Sequence, residues 1–420
     1  MTSPILKRLQ GRPLPVILFT IFIDLLGVGI LIPVIPQLLA NPHSSEFLLP
    51  AGFTLAQGYI LLGFLTAIFP IMQFFATPIL GQLSDTFGRR KLLAFSILGT
   101  SLSYLAFAFG IVTKNIPLLF ISRAFDGITG GNVAVAQAAI ADITKPENRA
   151  KNFGLMGAAF GFGFIIGPYL GGKLSDPAVV SWFSASTPFW FAAGLSALNF
   201  VSILLFFPET RQLAAKKLQI DWARSFHNIA RAWQIPNLRP LFTTMFFFNG
   251  GFTFFTTFFA VYMITKFSFT QGRIGDYFAF IGLWIAIVQG LITRQVAKRW
   301  PEYKVLRFSM IAAAVMVFAY LLVNQAWQLY WLAPFFALCI GLTMANSTAL
   351  ISKSAGPEIQ GEVLGINASV QALAQSIPPI IAGYLAGSVT AEAPLILSIN
   401  TLLLGGLVFW VWYKPTARVA

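Results

Sequence analysis

The sequence predicts an all-α membrane protein with twelve transmembrane helices in two pseudo-symmetric halves of six. Three observations lead there: the composition, the length and continuity of the apolar runs, and the side on which the basic residues fall. Of 420 residues, 57% are hydrophobic and only 10% are charged, with a mean hydropathy of +0.75. A typical soluble domain carries roughly 25% charged residues, so no soluble fold could hide this much apolar surface.

The apolar runs occupy 14–39, 55–80, 92–112, 117–140, 153–174, 188–207, 241–264, 275–296, 305–323, 328–351, 363–385 and 394–412. Each is near the ~20 residues a helix needs to cross a hydrocarbon core. They are continuous and lack the alternation that a barrel lumen would impose. The first run is too long for a signal-peptide core, contains Asp24 and has no small-residue cleavage site behind it, so it is expected to stay in the mature chain. Cys339, the only cysteine, falls inside a run, which excludes a disulfide framework.

The net charge of +14 could suggest a nucleic-acid surface, but the distribution of the charges points to topology. Of the 28 Lys and Arg, all but five lie on the side of the N-terminus; Lys114, Lys173, Lys266 and Arg273 lie opposite, and Arg123 lies within a span. The positive-inside rule then places both termini in the cytoplasm, with no nucleic-acid partner. There is no phosphate-cradling glycine loop, no His or Cys cluster with metal spacing, and no extramembrane domain large enough for a nucleotide site. Enzyme, cofactor and metal are therefore not expected.

The longest polar interruption divides the chain into 1–207, a linker 208–240 and 241–420. In the linker Trp222, Phe226, Ile229, Ala230 and Trp233 recur at helical spacing, with Arg224, His227 and Arg231 elsewhere on the wheel and Asp221 placed to cap the start. This predicts an amphipathic helix lying on the cytoplasmic leaflet. A shift of 211 residues aligns Pro146-Glu147 with Pro357-Glu358, Gly154 with Gly365, Pro168 with Pro379 and Gly172 with Gly383. Gly81 to Arg89-Arg90 returns as Gly290 to Lys298-Arg299, with Arg294 where Asp85 stood. Two parallel six-helix repeats are a transporter plan with the substrate site between them near the midplane.

Three groups of residues carry chemistry. Segment 81–91 contains Gly81, Asp85, Gly88, Arg89 and Arg90; its glycines permit a tight turn, Asp85 can meet a helix N-terminus, and the arginines can pair with a carboxylate such as Asp142. Span five contains Gly163, Gly167, Pro168, Gly171 and Gly172, whose spacing flattens a helix face while the proline removes a backbone donor. Span one carries Asp24 about ten residues in, near mid-bilayer depth at ~1.5 Å per residue. Arg123 and Asp126 share a face of span four, with Gly127, Gly130 and Gln137 roughly continuing it. A carboxylate at that depth must pair, protonate or both. A static ion-pair staple and a proton-exchanging cluster both satisfy that requirement.

On these motifs the chain resembles the major facilitator superfamily, and within it the drug:proton antiporters around the tetracycline efflux proteins. The resemblance covers most of the first half and is weak in the second. It implies the major facilitator fold, a latch between halves at 81–91, and an antiporter motif in span five. It also implies a proton-coupled antiporter that exports hydrophobic or amphipathic small molecules, with Asp24, Arg123 and Asp126 in proton coupling. Arg123 matches the family's fourth-helix arginine, whereas Asp126 is outside that pattern. Spans three and nine lack the further carboxylates of the tetracycline exporters, so tetracycline itself is not expected. Asn249, Phe252, Gln371 and Gln375, with Asp24 and Gln137, are the expected substrate contacts. Phenylalanines in a membrane helix face lipid by default, and span seven has eight between Phe246 and Phe259. The expected partners are substrate, protons and the bilayer of a bacterial inner membrane, with the protein a monomer. The alternatives are a uniporter or symporter of a small organic solute, or a receptor or assembly factor on the same scaffold.

Overall fold

The computed structural model describes residues 13–144, 149–211, 220–355 and 360–415. Local signals set the helix starts. Thr54 closes a capping box with Gln57 at the head of α2, Asn115 accepts from the Leu118 N–H at 3.0 Å ahead of α4, and Thr270 caps α10. The helices are α1 (Pro13–Leu39), α2 (Leu55–Phe87), α3 (Arg89–Val112), α4 (Ile116–Thr129), α5 (Asn132–Ile143), α6 (Arg149–Leu174) and α7 (Thr187–Phe206). After the linker helix α8 (Arg224–Gln234) come α9 (Arg239–Phe267), α10 (Gln271–Ile287), α11 (Thr293–Ala297), α12 (Glu302–Leu321), α13 (Ala326–Ser354), α14 (Gln360–Ser388) and α15 (Ala393–Trp412).

Among the described residues, ten helical stretches are long and apolar enough to span a bilayer by themselves. Two more complete the twelve. One is α14, whose polar residues Asn367, Gln371 and Gln375 and two prolines dilute its apolar character. The other is the fourth run, expected as one helix over 117–140, which breaks at Gly130-Gly131 into α4 and α5. The cause is close approach to α2: a Cβ at Gly127 would meet the Phe69 carbonyl and Met72, and one at Gly131 would meet Leu80 and Thr77. The carbonyl of Gly130 is taken by Gln73 Nε2 at 2.9 Å. The eighth span likewise deviates, with a π-helical turn at Val288–Ile292 joining α10 to α11.

Internal repetition becomes visible as packing. Pro168 and Gly172 of α6 lie against Gly275 of α10, and Pro379 and Gly383 of α14 lie against Gly63 of α2. Both contacts bring backbone to backbone at positions related by the 211-residue shift, as small residues permit in membrane helices. Gly163, Gly167 and Gly171 serve a different face of α6, where they admit Leu25, Leu26, Gly29 and Ile30 of α1. Pro146-Glu147 and Pro357-Glu358 lie outside the described residues.

The two seams close only at the end away from the basic loops. There Lys173 pairs with Asp276 at 2.9 Å and Gln37 Nε2 donates to the Phe269 carbonyl at 3.2 Å. Toward the basic loops, Gly161 continues the α6 stripe of Ile165, Pro168 and Gly172, and Gly81 continues the α2 stripe of Gly63. A Cβ at either would meet nothing within 4 Å among the described residues, and the same holds for Gly154 and Gly365. Among the described residues these glycines therefore touch a partner helix at one end of each seam and none toward the basic-loop end.

Helix α8 crosses that end. Ser225 Oγ donates to the Phe74 carbonyl of α2, while Asn228 Nδ2 donates to Ser369 Oγ at 3.0 Å and Arg231 pairs with Glu362 at 2.8 Å, both on α14. Trp222, Phe226 and Trp233 stay exposed, as the amphipathic reading expects.

Candidate functional site

The sequence sets Asp24 inside span one and Arg123 and Asp126 inside span four, and the fold gives the two carboxylates different partners. Arg123 Nη1 lies 2.6 Å from Asp126 Oδ2, one turn along the same helix, with both side chains nearly fully buried. Its guanidinium also sits over the Phe69 ring at 4.4 Å. Asp24 instead accepts at Oδ1 from Asn132 Nδ2 at 2.9 Å. Its Oδ2 is buried and meets no hydrogen-bond donor, and neither does Asn132 Oδ1 meet one. The helix break at Gly130-Gly131 makes this possible, because it turns Asn132, the first residue of α5, toward α1.

Tyr104 completes the cluster. It is 3% exposed, and its hydroxyl lies against Gly27, one turn from Asp24, where any side chain at position 27 would collide with it. Tyr104, Arg123 and Asp126 together line a narrow crevice with Leu31, Ser103, Ser122, Phe107 and Phe189. Those residues belong to α1, α3, α4 and α7. The Arg123–Asp126 pair therefore sits within the first half and not on the seam between α2 and α14.

The other expected contacts are placed as follows. Gln137 is half-buried on α5. Asn249 spends its Nδ2 on the Met245 carbonyl of its own helix at 2.7 Å. Phe252 is half-buried and stacks on Phe255 with ring centroids 6.5 Å apart. Gln371 is half-buried and Gln375 exposed; Gln375 lies one turn before Pro379, just where α14 leaves α2. The phenylalanines of α9 correct the default expectation of lipid exposure. Phe248, Phe254, Phe255, Phe258 and Phe259 are at most 5% exposed, because α9 runs through the bundle between two apolar cores.

At the 81–91 turn Arg89 reaches Asp142 at 3.1 Å and Asp85 at 2.8 Å, and Arg211 adds a second pair to Asp85 at 2.9 Å. Arg90 does not pair with a carboxylate as expected; its guanidinium donates to the Leu204 carbonyl. Nor does Asp85 meet a helix N-terminus. That place is filled by Glu209, whose carboxylate accepts from the backbone N–H groups of Arg89 at 2.8 Å and Arg90 at 3.2 Å. Gly88 has φ +95°, and a Cβ there would strike Glu209. Among the described residues the ion pairs of this turn join Asp85, Arg89, Asp142 and Arg211, so in this conformation it is tied to the first half and to the start of the linker.

A sequence model of the Major Facilitator Superfamily matches residues 17–379. The chain belongs to the major facilitator superfamily. It is 31% identical to the class E tetracycline resistance protein of Escherichia coli, over 90% of this chain and 88% of that one. It is 28% identical to the quinolone resistance protein NorA of Staphylococcus aureus, over 98% and 99%. Among solved structures it superimposes on a D-xylose-proton symporter with a TM-score of 0.76 at 14% identity, covering 96% of this chain and 98% of the other. The chain is thus a multi-pass membrane transporter of the superfamily and not an enzyme. Asn132, Tyr104, Gln73 and Glu209 escaped sequence reasoning. Only Glu209, an acid at the start of the linker just after an apolar run, carried a visible signal.

Proposed function

We propose that this superfamily member is a proton-coupled antiporter that exports hydrophobic or amphipathic small molecules by alternating access. The observation that supports it is the state of Asp24: mid-membrane, held on one oxygen by a neutral amide, with its other oxygen buried and unpartnered. A charged, half-solvated carboxylate is expensive there, whereas a protonated one supplies its own donor. Arg123 is kept occupied by Asp126, so Asp24 is left free to take up and release a proton. Asp24 is the main proton carrier in this reading, Asp126 a second carboxylate or brace, and Arg123 the group that modulates both.

Two halves, 1–207 and 241–420 joined by the linker 208–240, rock about the glycine seams. Gly163, Gly167, Pro168, Gly171 and Gly172 keep the seam and its support thin. Gly81, Asp85, Gly88, Arg89, Arg90 and Asp142 act as the latch on the other end. Substrate enters the cleft beside Asp24 and meets Gln137, Asn249, Phe252, Gln371 and Gln375. The protein works as a monomer in a bacterial plasma membrane with both termini cytoplasmic, which makes the open end of the cleft the cytoplasmic one.

The test is reconstitution with an imposed pH gradient and a panel of ethidium, tetraphenylphosphonium and norfloxacin, comparing wild type with Asp24→Asn. Substrate-driven proton movement that the substitution abolishes is the expected result. Flux without proton movement would move the assignment to a uniporter, and co-directional movement to a symporter.

A further inference from the structure

Helix α8 belongs to the second half by its packing and reaches the first half by hydrogen bonds. Ala232 is 3% exposed and joins the apolar core that holds Leu238, Leu241, Phe242, Phe409 and Tyr413, and Ile229 and Ile235 pack against the same core. Arg239, the first residue of α9, lies between the Trp233 ring of α8 and the Trp412 ring of α15, 4.7 Å from each centroid. Asn228 and Arg231 add their bonds to Ser369 and Glu362 of α14. No described residue of α8 enters the other two apolar cores, which hold the first-half helices.

The start of α8 and the turn before it grip α2. Pro78 has no N–H to give the Phe74 carbonyl one turn earlier, so that acceptor is left open inside α2. Ser225, itself buried, fills it with its hydroxyl. Phe226 meets the Phe74 ring edge-on at 5.4 Å and the Phe75 ring at 5.8 Å. Gln82 bonds the backbone of Asp221 in both directions: its Oε1 accepts from the N–H at 2.9 Å, and its Nε2 donates to the carbonyl at 3.4 Å. The Asp221 carboxylate shapes the turn, accepting from the Ala223 N–H at 3.1 Å and lying 2.9 Å from His227 Nδ1.

These contacts stand far from the point where α2 and α14 touch, at Gly63 and Gly383. Counted from Gly63, Phe74 and Gln82 lie 11 and 19 residues on, roughly 16 and 28 Å along the helix at ~1.5 Å per residue. Tilting one half by ~10° about that point moves Gln82 by roughly 5 Å against α14, more than a hydrogen bond tolerates. Helix α8 is seated in the second-half core and runs into α9 after four residues, so the bonds to α2 are the ones that give way. We propose that α8 is a clasp: an arm of the second half that grips the carbonyl freed by Pro78 and the Gln82 amide, holds the basic-loop ends of α2 and α14 at the spacing seen here, and lets go each time the halves rock. The release step rests on the alternating-access reading.

Distances between spin labels in lipid nanodiscs test it, in a Cys339→Ala background. The labels go, in pairs, on three exposed positions: Phe87→Cys on α2, Ala230→Cys on α8 and Gln295→Cys on α11. Tetraphenylphosphonium and a step from alkaline to acid pH supply the perturbation. The 87–295 and 87–230 distances are expected to change together, while 230–295 stays fixed. Gln82→Leu combined with Ser225→Ala is expected to lower the population at the clasped 87–230 distance at least threefold. A 230–295 distance that changes while 87–230 stays fixed makes α8 part of the first half and overturns the clasp. An unchanged 87–230 population in the folded double variant overturns it as well; should that variant not fold, the three distances with the clasp intact decide alone. An 87–295 distance that no condition changes overturns alternating access itself, and the release step with it.

Discussion

Arg123 gives its guanidinium to Asp126, 2.6 Å away on the same helix, and leaves Asp24 to the side-chain amide of Asn132. The two carboxylates, each inside an apolar span, therefore have different partners. One is compensated by a charge and the other by a neutral dipole, and this asymmetry separates what each should do when altered.

Asp24→Asn replaces an unpartnered carboxylate oxygen with a neutral group of the same shape. Coupled flux is expected to fall at least tenfold while the melting temperature in detergent stays at or above that of wild type, because no compensating charge is stranded. A large loss of stability would show that Asp24 carries a structural charge and would count against its role as proton carrier.

Removing one partner of the Arg123–Asp126 pair does strand a buried charge. Asp126→Leu and Arg123→Met are each expected to cost about 3–5 kcal/mol, and the double substitution much less than the sum of the two. Denaturant unfolding of the single and double variants in detergent measures the coupling directly.

In the proposed cycle the glycine seams set which end of the cleft is open. In a Cys339→Ala background, a cysteine at Gly161 should react with a membrane-impermeant maleimide added from the basic-loop side, while one at Gly172, which faces Gly275, should not. Adding Gly63→Leu, which pushes against the Pro379 carbonyl, should force the opposite end apart. The expected result is severalfold slower labelling at position 161.

Glu209 holds the first turn of α3 by accepting from Arg89 and Arg90. Glu209→Ala is expected to cost about 1 kcal/mol, as for loss of a helix cap, and to speed amide exchange at those two residues. Gly88→Ala should cost more, since it combines a φ of +95° with a collision against Glu209.

The spans and the internal repeat were legible because each depends on local or strictly periodic properties: apolar length and a 211-residue shift. The glycines of α6 were legible as a close-packing face for the same reason. The partners of the charged groups were not. Arg123 and Asp126 were seen to share a helix face, but whether Arg123 would bond along that face or across to α1 turned on Phe69 beneath it and on the break at Gly130-Gly131. That break was invisible because two glycines in an apolar run are compatible with a continuous helix until a neighbour approaches. The burial of the α9 phenylalanines was hidden likewise, since an all-apolar helix has no polar face to show which side meets lipid.

By itself, the sequence determined that this chain crosses a membrane twelve times, repeats its plan once and carries an acid within its first span. Transfer of apolar side chains out of water acts residue by residue and leaves its mark in the order of the letters. Only the tertiary structure decided that Asp24 meets Asn132 and that the halves touch through Gly63, Gly172, Gly275 and Gly383. Hydrogen bonds and backbone contacts act over a few ångströms between residues far apart in the chain, so their geometry exists only once the helices are packed.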